Sequence, residues 1–212
     1  MAIDANPADS FPDPNLVIRA QRGDQSALAI LYEAFFNRIY RYILARIGNV
    51  AEAEDLTEEV FLRMLRGLTS FESQDEGPTQ GFSSWLFRIA HNLIIDRVRT
   101  ETYRGGRLAL LDAEPSETEQ IGAALERQWE RQELDQAIRR LTDDQRDVVT
   151  LRFAAELSLA ETATVLGKQI GNVKVLQHHA LVNLRRILTE QPPPSSDRGR
   201  RPTIAEAWGQ TS

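Results

Sequence analysis

The sequence predicts an all-α protein built as two small helical domains joined by a flexible acidic linker, the C-terminal one containing a helix-turn-helix. Three observations carry this. Apolar residues recur three and four apart through most of the chain between Leu16 and Leu188, the spacing that gathers them on one face of an α-helix. Glycines and short polar residues punctuate those runs where helices need caps. A polar, acidic stretch from Asp112 to about Ala124 parts the runs into two groups.

Composition sets the bounds. The 212 residues are 42% hydrophobic and 26% charged, the balance of a soluble globular protein with enough chain for two small cores. No run of about 18 apolar residues is present, so membrane insertion is not expected. The acidic, proline-bearing start, MAIDANPADSFPDPN, is unlike a signal peptide. With no cysteine, disulfides, thiolate metal sites and cysteine nucleophiles are excluded, and a cytoplasmic location is the default. A net charge of −6 argues against coating nucleic acid by bulk charge, so any such contact must come from local basic patches. Such patches exist. Trp85 to Arg107 holds five basic residues against two acidic ones, whereas Asp112 to Asp135 holds two against eight.

The elements follow in order. Residues 1–15 read as a disordered tail, because Pro7, Pro12 and Pro14 block regular structure. Leu16 to Arg22 forms a short helix that Gly23 ends. Asp24 caps a longer one, whose stripe of Leu28, Leu31, Tyr32, Phe35, Ile39, Tyr40, Ile43 and Ile47 is read as core and whose end is Gly48. Ala51 to Leu68 buries Leu56, Val60, Met64 and Leu65, with an acidic edge of Glu54, Asp55, Glu58 and Glu59. Thr69 to Ser83 is a loop, broken by Gly77-Pro78 and Gly81, with two aromatics, Phe71 and Phe82. Those rings either anchor the loop to the core or stack on an unpaired base. The helix after it packs Trp85, Leu86, Ile89, Ala90, Leu93 and Ile94, and turns Arg88, Asn92, Arg97 and Arg99 outward, with Asp96 a candidate partner for one arginine.

The second group begins with a helix through Leu125, Trp129, Leu134 and Ile138. Thr142 caps the next, from Arg146 to Phe153. Ser158 and Glu161 have the spacing of a capping box, Leu159, Ala163 and Leu166 share a face, and Gly167 closes that helix. A last helix starts near Ile170, with Ile170, Val173, Ala180, Leu181, Leu184 and Leu188 inward. Between Ile170 and Arg186 lie three basic residues and no acidic one. Short helix, glycine turn and longer basic helix describe a helix-turn-helix, whose second helix enters the DNA major groove. Asn172, Lys174, Val175, His178 and His179 are then candidates for base edges and phosphates; a helical hairpin with a solvated basic face is the plain alternative. Beyond Leu188 the proline- and serine-rich extension, residues 191–212, is read as disordered, although Ile204 to Trp208 has the makings of a short docking helix.

AEDLTEEVFLRML, the loop, FSSWLFRIAHNLIIDRVR and the C-terminal helix-turn-helix, in that order, closely resemble an extracytoplasmic-function (ECF) type RNA polymerase sigma factor over about Leu16 to Leu188. The resemblance implies a region-two domain at 16–107, a linker at 108–124 and a region-four domain at 125–190. It implies core RNA polymerase and promoter DNA as partners, an anti-sigma factor as a further one, no cofactor and no catalytic residue of its own. By matched position, Asp55, Glu58, Glu59 and Leu62 form the polymerase-docking edge, with Glu58 where the family usually has glutamine. Phe71, Phe82, Arg88, Asn92 and Arg99 belong to the grip on the minus-ten element, where a base is flipped from the stack. The helix from Ile170 reads the minus-thirty-five element through Asn172, Lys174, Val175, His178 and His179. There the family commonly reads GTVKSRLHRA and this chain GNVKVLQHHA. Two hydrogen-bonding groups have become aliphatic at Val175 and Leu176, suited to thymine methyls, and a permanent charge has become titratable at His179.

Two other classes stand beside this reading. A helix-turn-helix regulator that recruits no polymerase would have no use for a base-flipping pocket. A carboxylate-metal enzyme built on the acidic helix would need a Glu-x-x-His pairing, and none of the three histidines follows a glutamate at that spacing.

Overall fold

The computed structural model describes residues 15–72, 78–103 and 132–190, with the backbone alone described at 78–80 and 101–103. Every regular element among these residues is helical: α1 (Leu16–Gln21), α2 (Gln25–Ile47), α3 (Val50–Gly67), a 3₁₀ turn (Leu68–Ser70), α4 (Pro78–Tyr103), α5 (132–139), α6 (Asp143–Val149), a π-helical turn (Thr150–Ala154), α7 (Leu159–Leu166) and α8 (Ile170–Glu190). The tail before residue 15, residues 104–131 with Leu125 and Trp129, and the extension after residue 190 lie outside them.

The helix ends follow local chemistry. The Asp24 carboxylate accepts from the backbone N–H groups of Ser26 and Ala27 at the start of α2. Gly48 ends α2 in the left-handed conformation that only glycine adopts without strain. Asn49 caps α3 through Glu52 N–H, and Thr142 caps α6 through Gln145 N–H. At α7 the capping box is complete, with Ser158 Oγ accepting from Glu161 N–H and the Glu161 carboxylate from Ser158 N–H.

The core is laid between α2, α3 and α4. Leu31, Phe35, Ile39, Tyr42 and Ile43 from α2 meet Val60, Phe61 and Met64 from α3, and Phe82, Leu86, Phe87, Ala90 and Ile94 from α4. Leu151, Ala155, Leu157 and Val165 belong to the same buried cluster, so the apolar interior continues from the N-terminal helices into the π turn and α7. A second cluster joins α5, α6 and α8 through Ala137, Leu141, Val149, Ala180, Leu184 and Ile187. A third sets Val148, Ala163 and Val173 at the heart of the helix-turn-helix.

Several expectations are corrected. The predicted loop from Thr69 to Ser83 is shorter, because Leu68–Ser70 form a 3₁₀ turn and α4 begins at Pro78; proline suits a first helical turn, where its missing N–H leaves no bond unmade. Leu65 and Tyr32, assigned to the core, are exposed, and Phe61, not assigned to it, is among the buried residues of α3. Ile170, Leu181 and Leu188 are exposed as well, the seam of α8 being Val173, Ala180, Leu184 and Ile187. In each case an apolar residue sits beside the inward stripe, and the neighbour at the better angle takes the buried place.

Candidate polymerase and nucleic-acid interfaces

On α3 the inward face is Ala53, Thr57, Val60, Phe61 and Met64. Asp55, Glu58, Glu59 and Leu62 fall at helical spacing on the other side, with Asp55, Glu58 and Leu62 exposed. Glu59 receives the guanidinium of Arg63 at 2.7 Å, and that hydrogen bond holds its carboxyl below the usual range. Glu52, at the inner edge, bonds Arg97 of α4 at 2.7 Å. The acidic edge is therefore solvent-facing and braced from behind.

Residues proposed for the minus-ten grip divide in two. Arg88, Asn92 and Arg99 recur along one side of α4 and are exposed. Phe82 is fully buried, its ring 5.5 Å from Phe35 and 5.6 Å from Trp85. Of the two accounts of that ring, packing is the one the structure has, because α4 begins early enough to turn it inward. Phe71 is half-buried, 5.0 Å from Trp85 and 5.7 Å from Phe82, and stands at the rim of the same aromatic group. Arg88 is engaged: Nη2 donates to the carbonyl oxygen of Thr164 in α7 at 2.6 Å.

On α8, Asn172, Lys174, Val175, His178 and His179 are all exposed, Val175 to 54%. Leu176, expected outward, is half-buried against the Val148, Ala163 and Val173 cluster, and Gln177 Oε1 accepts from Arg152 Nε at 3.2 Å. Of the two aliphatic departures only Val175 is exposed. Val173, Ala180, Leu184 and Ile187 seat the helix while its other side meets solvent.

Sequence reasoning missed the joint between the two groups of helices. Arg38 of α2 is buried, its guanidinium 5.4 Å from the ring centres of both Phe35 and Phe87, and its Nε donates to Ala155 O at 2.9 Å. Arg41 donates to Ala154 O at 2.8 Å and meets the Glu156 carboxylate. Arg46 pairs with Asp147 of α6 at 2.9 Å, their side chains only 4% and 9% exposed. The Tyr42 hydroxyl and His91 Nδ1 lie 3.0 Å apart in a hydrogen bond beside that pair. Burial lowers the basicity of His91 and raises the Asp147 carboxyl against the pull of Arg46 and His91. The signal was present in the sequence: Arg38 and Arg46 fall on the same helical stripe as Phe35, Tyr42 and Ile43, where a basic residue needs a buried partner.

Among the described residues no group of three histidine, aspartate or glutamate side chains could hold a metal ion, and no helix is long and apolar enough to cross a membrane. Residues 31–103 match the sigma-70 region 2 family and residues 137–186 the sigma-70, region 4 family. The ECF RNA polymerase sigma factor BldN of Streptomyces coelicolor is 40% identical over 185 residues, covering 86% of this chain and 68% of that protein. The ECF RNA polymerase sigma factor SigW of Bacillus subtilis is 34% identical over 185 residues, covering 81% of this chain and 94% of that one. The sigma factor RpoE of Bartonella quintana, solved with the anti-sigma factor NepR, has the same fold, with a TM-score of 0.61 at 19% identity over 77% of this chain and 98% of that one. The chain belongs to the ECF family of RNA polymerase sigma factors. Its function is to direct promoter-specific transcription initiation, with core polymerase and promoter DNA as partners. The reading as a regulator that recruits no polymerase falls with that membership.

Proposed function

We propose that this cytoplasmic sigma factor docks on core RNA polymerase through Asp55, Glu58, Glu59 and Leu62 of α3. Residues 16–107 form the docking and minus-ten domain, and residues 125–190 the minus-thirty-five domain. Arg88, Asn92 and Arg99 of α4 hold the minus-ten strand, with Phe71 at the rim of the pocket and Phe82 packing beneath it. Asn172, Lys174, Val175, His178 and His179 of α8 read the minus-thirty-five duplex. An anti-sigma factor is a further partner, as the complex of the Bartonella relative suggests by likeness.

The observation that carries this assignment is the exposure of Asp55, Glu58, Leu62 and the five α8 residues on two separate helix faces, each chemically suited to its partner. A carboxylate edge beside an exposed leucine suits a basic, partly apolar protein surface. A protruding helix with a lysine, two imidazoles and a valine suits a major groove. Run-off transcription with purified core enzyme on genomic fragments tests the function and supplies a promoter. Asp55→Ala with Glu58→Ala is expected to weaken core binding without lowering the melting temperature, since exposed helix positions contribute little to stability. Unchanged affinity in a core-binding titration removes those residues from the docking edge.

A further inference from the structure

α1 has no part in the assignments above, yet it touches the turn that carries Phe71. Gln21, its last residue, is half-buried, and its side-chain Nε2 donates to Leu68 O at 3.0 Å and to Phe71 O at 2.7 Å. Those carbonyls belong to the two ends of one turn, closed by Phe71 N–H donating to Leu68 O at 3.2 Å. A primary amide nitrogen carries two hydrogens, and here each has a carbonyl. An oxygen in that place would face two acceptors, so the donor is what the turn requires. The corner between α1 and α2 brings Gln21 there. Leu16, Val17 and Ala20 are buried, Arg19 pairs with Asp24 at 2.6 Å, and the same carboxylate caps α2. On its other side the turn lies close to Trp85, because Gly67 has no Cβ; one there would stand 3.0 Å from the indole Cζ2.

We propose that Gln21 is a positioning residue for capture of the unpaired minus-ten strand, acting through Phe71. Its amide ties the turn so that the Phe71 ring stands 5.0 Å from Trp85 and edge-on to Phe82 at 5.7 Å, with part of the ring left to solvent for an unpaired base. The proposal rests on the assignment of Phe71 to the minus-ten grip given above.

The reason such a tie matters is energetic. Drawing a base out of the stack is costly, and stacking on a protein ring offsets part of that cost. The offset is full only where the ring already stands in place, since ordering a loop at the moment of binding subtracts from affinity. The Ser70 hydroxyl, donating to Gly67 O at 3.0 Å, braces the turn from within. Gln21 instead fixes it to a separate helix, from 47 and 50 residues away in the chain. A released turn that holds the competent geometry about a tenth of the time weakens apparent affinity about tenfold.

Gln21→Glu tests this, because it keeps the shape of the side chain and sets a carboxylate oxygen against the two carbonyls. The probes are purified core polymerase, a duplex carrying the minus-thirty-five element and a premelted template carrying the minus-ten element, both from a promoter recovered by run-off transcription. The variant holoenzyme is expected to lose about tenfold in affinity for the premelted template, with core binding and the duplex within about twofold of wild type. In a Phe71→Ala background the same change is expected to cost less than about twofold, because the ring it positions is gone. Backbone amide exchange at Phe71 is expected to quicken, since that N–H closes the tied turn. Gln21→Met, which removes the donors without adding charge, is expected to follow the same pattern with a loss of about threefold. Equal losses with and without the Phe71 ring overturn the proposal. Unchanged binding of the premelted template overturns it too, as does a parallel fall in all three activities with the melting temperature. If Phe71→Ala alone binds that template like wild type while Gln21→Glu still quickens exchange, it is the assignment of Phe71 to the grip that fails, and not the tie.

Discussion

α4 and α8 are the two helices assigned to promoter DNA, and they are seated in opposite ways. α4 lies deep, with Phe82, Leu86, Phe87, Ala90, Leu93 and Ile94 all buried and only a narrow stripe carrying Arg88, Asn92 and Arg99 left outside. α8 rests on one seam of Val173, Ala180, Leu184 and Ile187, and most of its circumference meets solvent. On the proposed assignment, the difference suits the two forms of DNA. A duplex offers a groove that a protruding helix fills as a rigid body. An unpaired strand needs a surface with depth, backed by rings that hold its shape while the base is drawn out. A change at α4 therefore reaches the fold, and a change on the outer side of α8 does not.

Phe82→Ala should give the largest effect and the sharpest break in that comparison. It removes a fully buried ring from the contact of α2 with α4, at a cost of about 3–5 kcal/mol in stability. A lowered melting temperature with proportionate loss of every activity is the expected outcome. Unchanged melting with selective loss of open complexes would show that the ring leaves the core to meet DNA, and α4 would no longer be the buried helix of the pair.

Lys174→Glu is the corresponding test of α8. It exchanges attraction for repulsion at one exposed contact and is expected to cost about 1–3 kcal/mol in binding a minus-thirty-five element, with no change in melting. Holoenzyme on a premelted minus-ten template should be unaffected. Equal losses on both templates would mean that α8 does not read DNA. The salt dependence of the minus-thirty-five complex should also fall by about one contact.

The smallest effect concerns the joint between the two. Burial keeps the His91 imidazole less basic than its ordinary value of 6.5, so the folded protein binds fewer protons at this ring than the unfolded chain, in which it meets water. As pH falls through that ordinary value the unfolded chain takes up the proton first, and stability is lost. Asp147 works the other way at lower pH, because burial raises its carboxyl in the folded protein. Tyr42 from α2 and Asp147 from α6 stand beside the ring, with Arg46 paired to Asp147. The melting temperature should fall modestly from about pH 8 to about pH 6. His91→Gln should reduce that change, and a wild-type melting temperature that rises over this range would reverse the sign assigned to the ring.

The sequence made the helices legible because their ends are local. Asp24, Gly48, Thr142, Ser158 with Glu161, and Gly167 each act within four residues, and each stands where it was expected. The exposed face of α8 was legible for the same reason, spacing on one helix being enough to bring Asn172, Val175 and His179 together. The joint was not, because the partner of a buried arginine is set by tertiary packing: Arg38 and Ala155 are 117 residues apart in the chain. Phe82 was read as part of a loop that is instead the start of α4, and of the two accounts given for its ring the structure has it packed in the core. Leu65 and Leu181 were assigned inward on hydropathy alone, which does not distinguish the centre of a stripe from its edge.

Gly48 carries a consequence for how this sequence tolerates change. Its φ of 74° ends α2, and a Cβ there would stand 2.7 Å from Nη2 of Arg139, the last residue of α5. The two demands have different remedies. Asparagine accepts the left-handed backbone at modest cost, and the guanidinium, being the free end of a long side chain, can swing aside. A population of variants kept only for being folded would thus retain asparagine at position 48. One kept for Arg139 in its present place against that turn would retain glycine alone. The residue tolerated at that single turn becomes a record of whether the Arg139 guanidinium is still held against it.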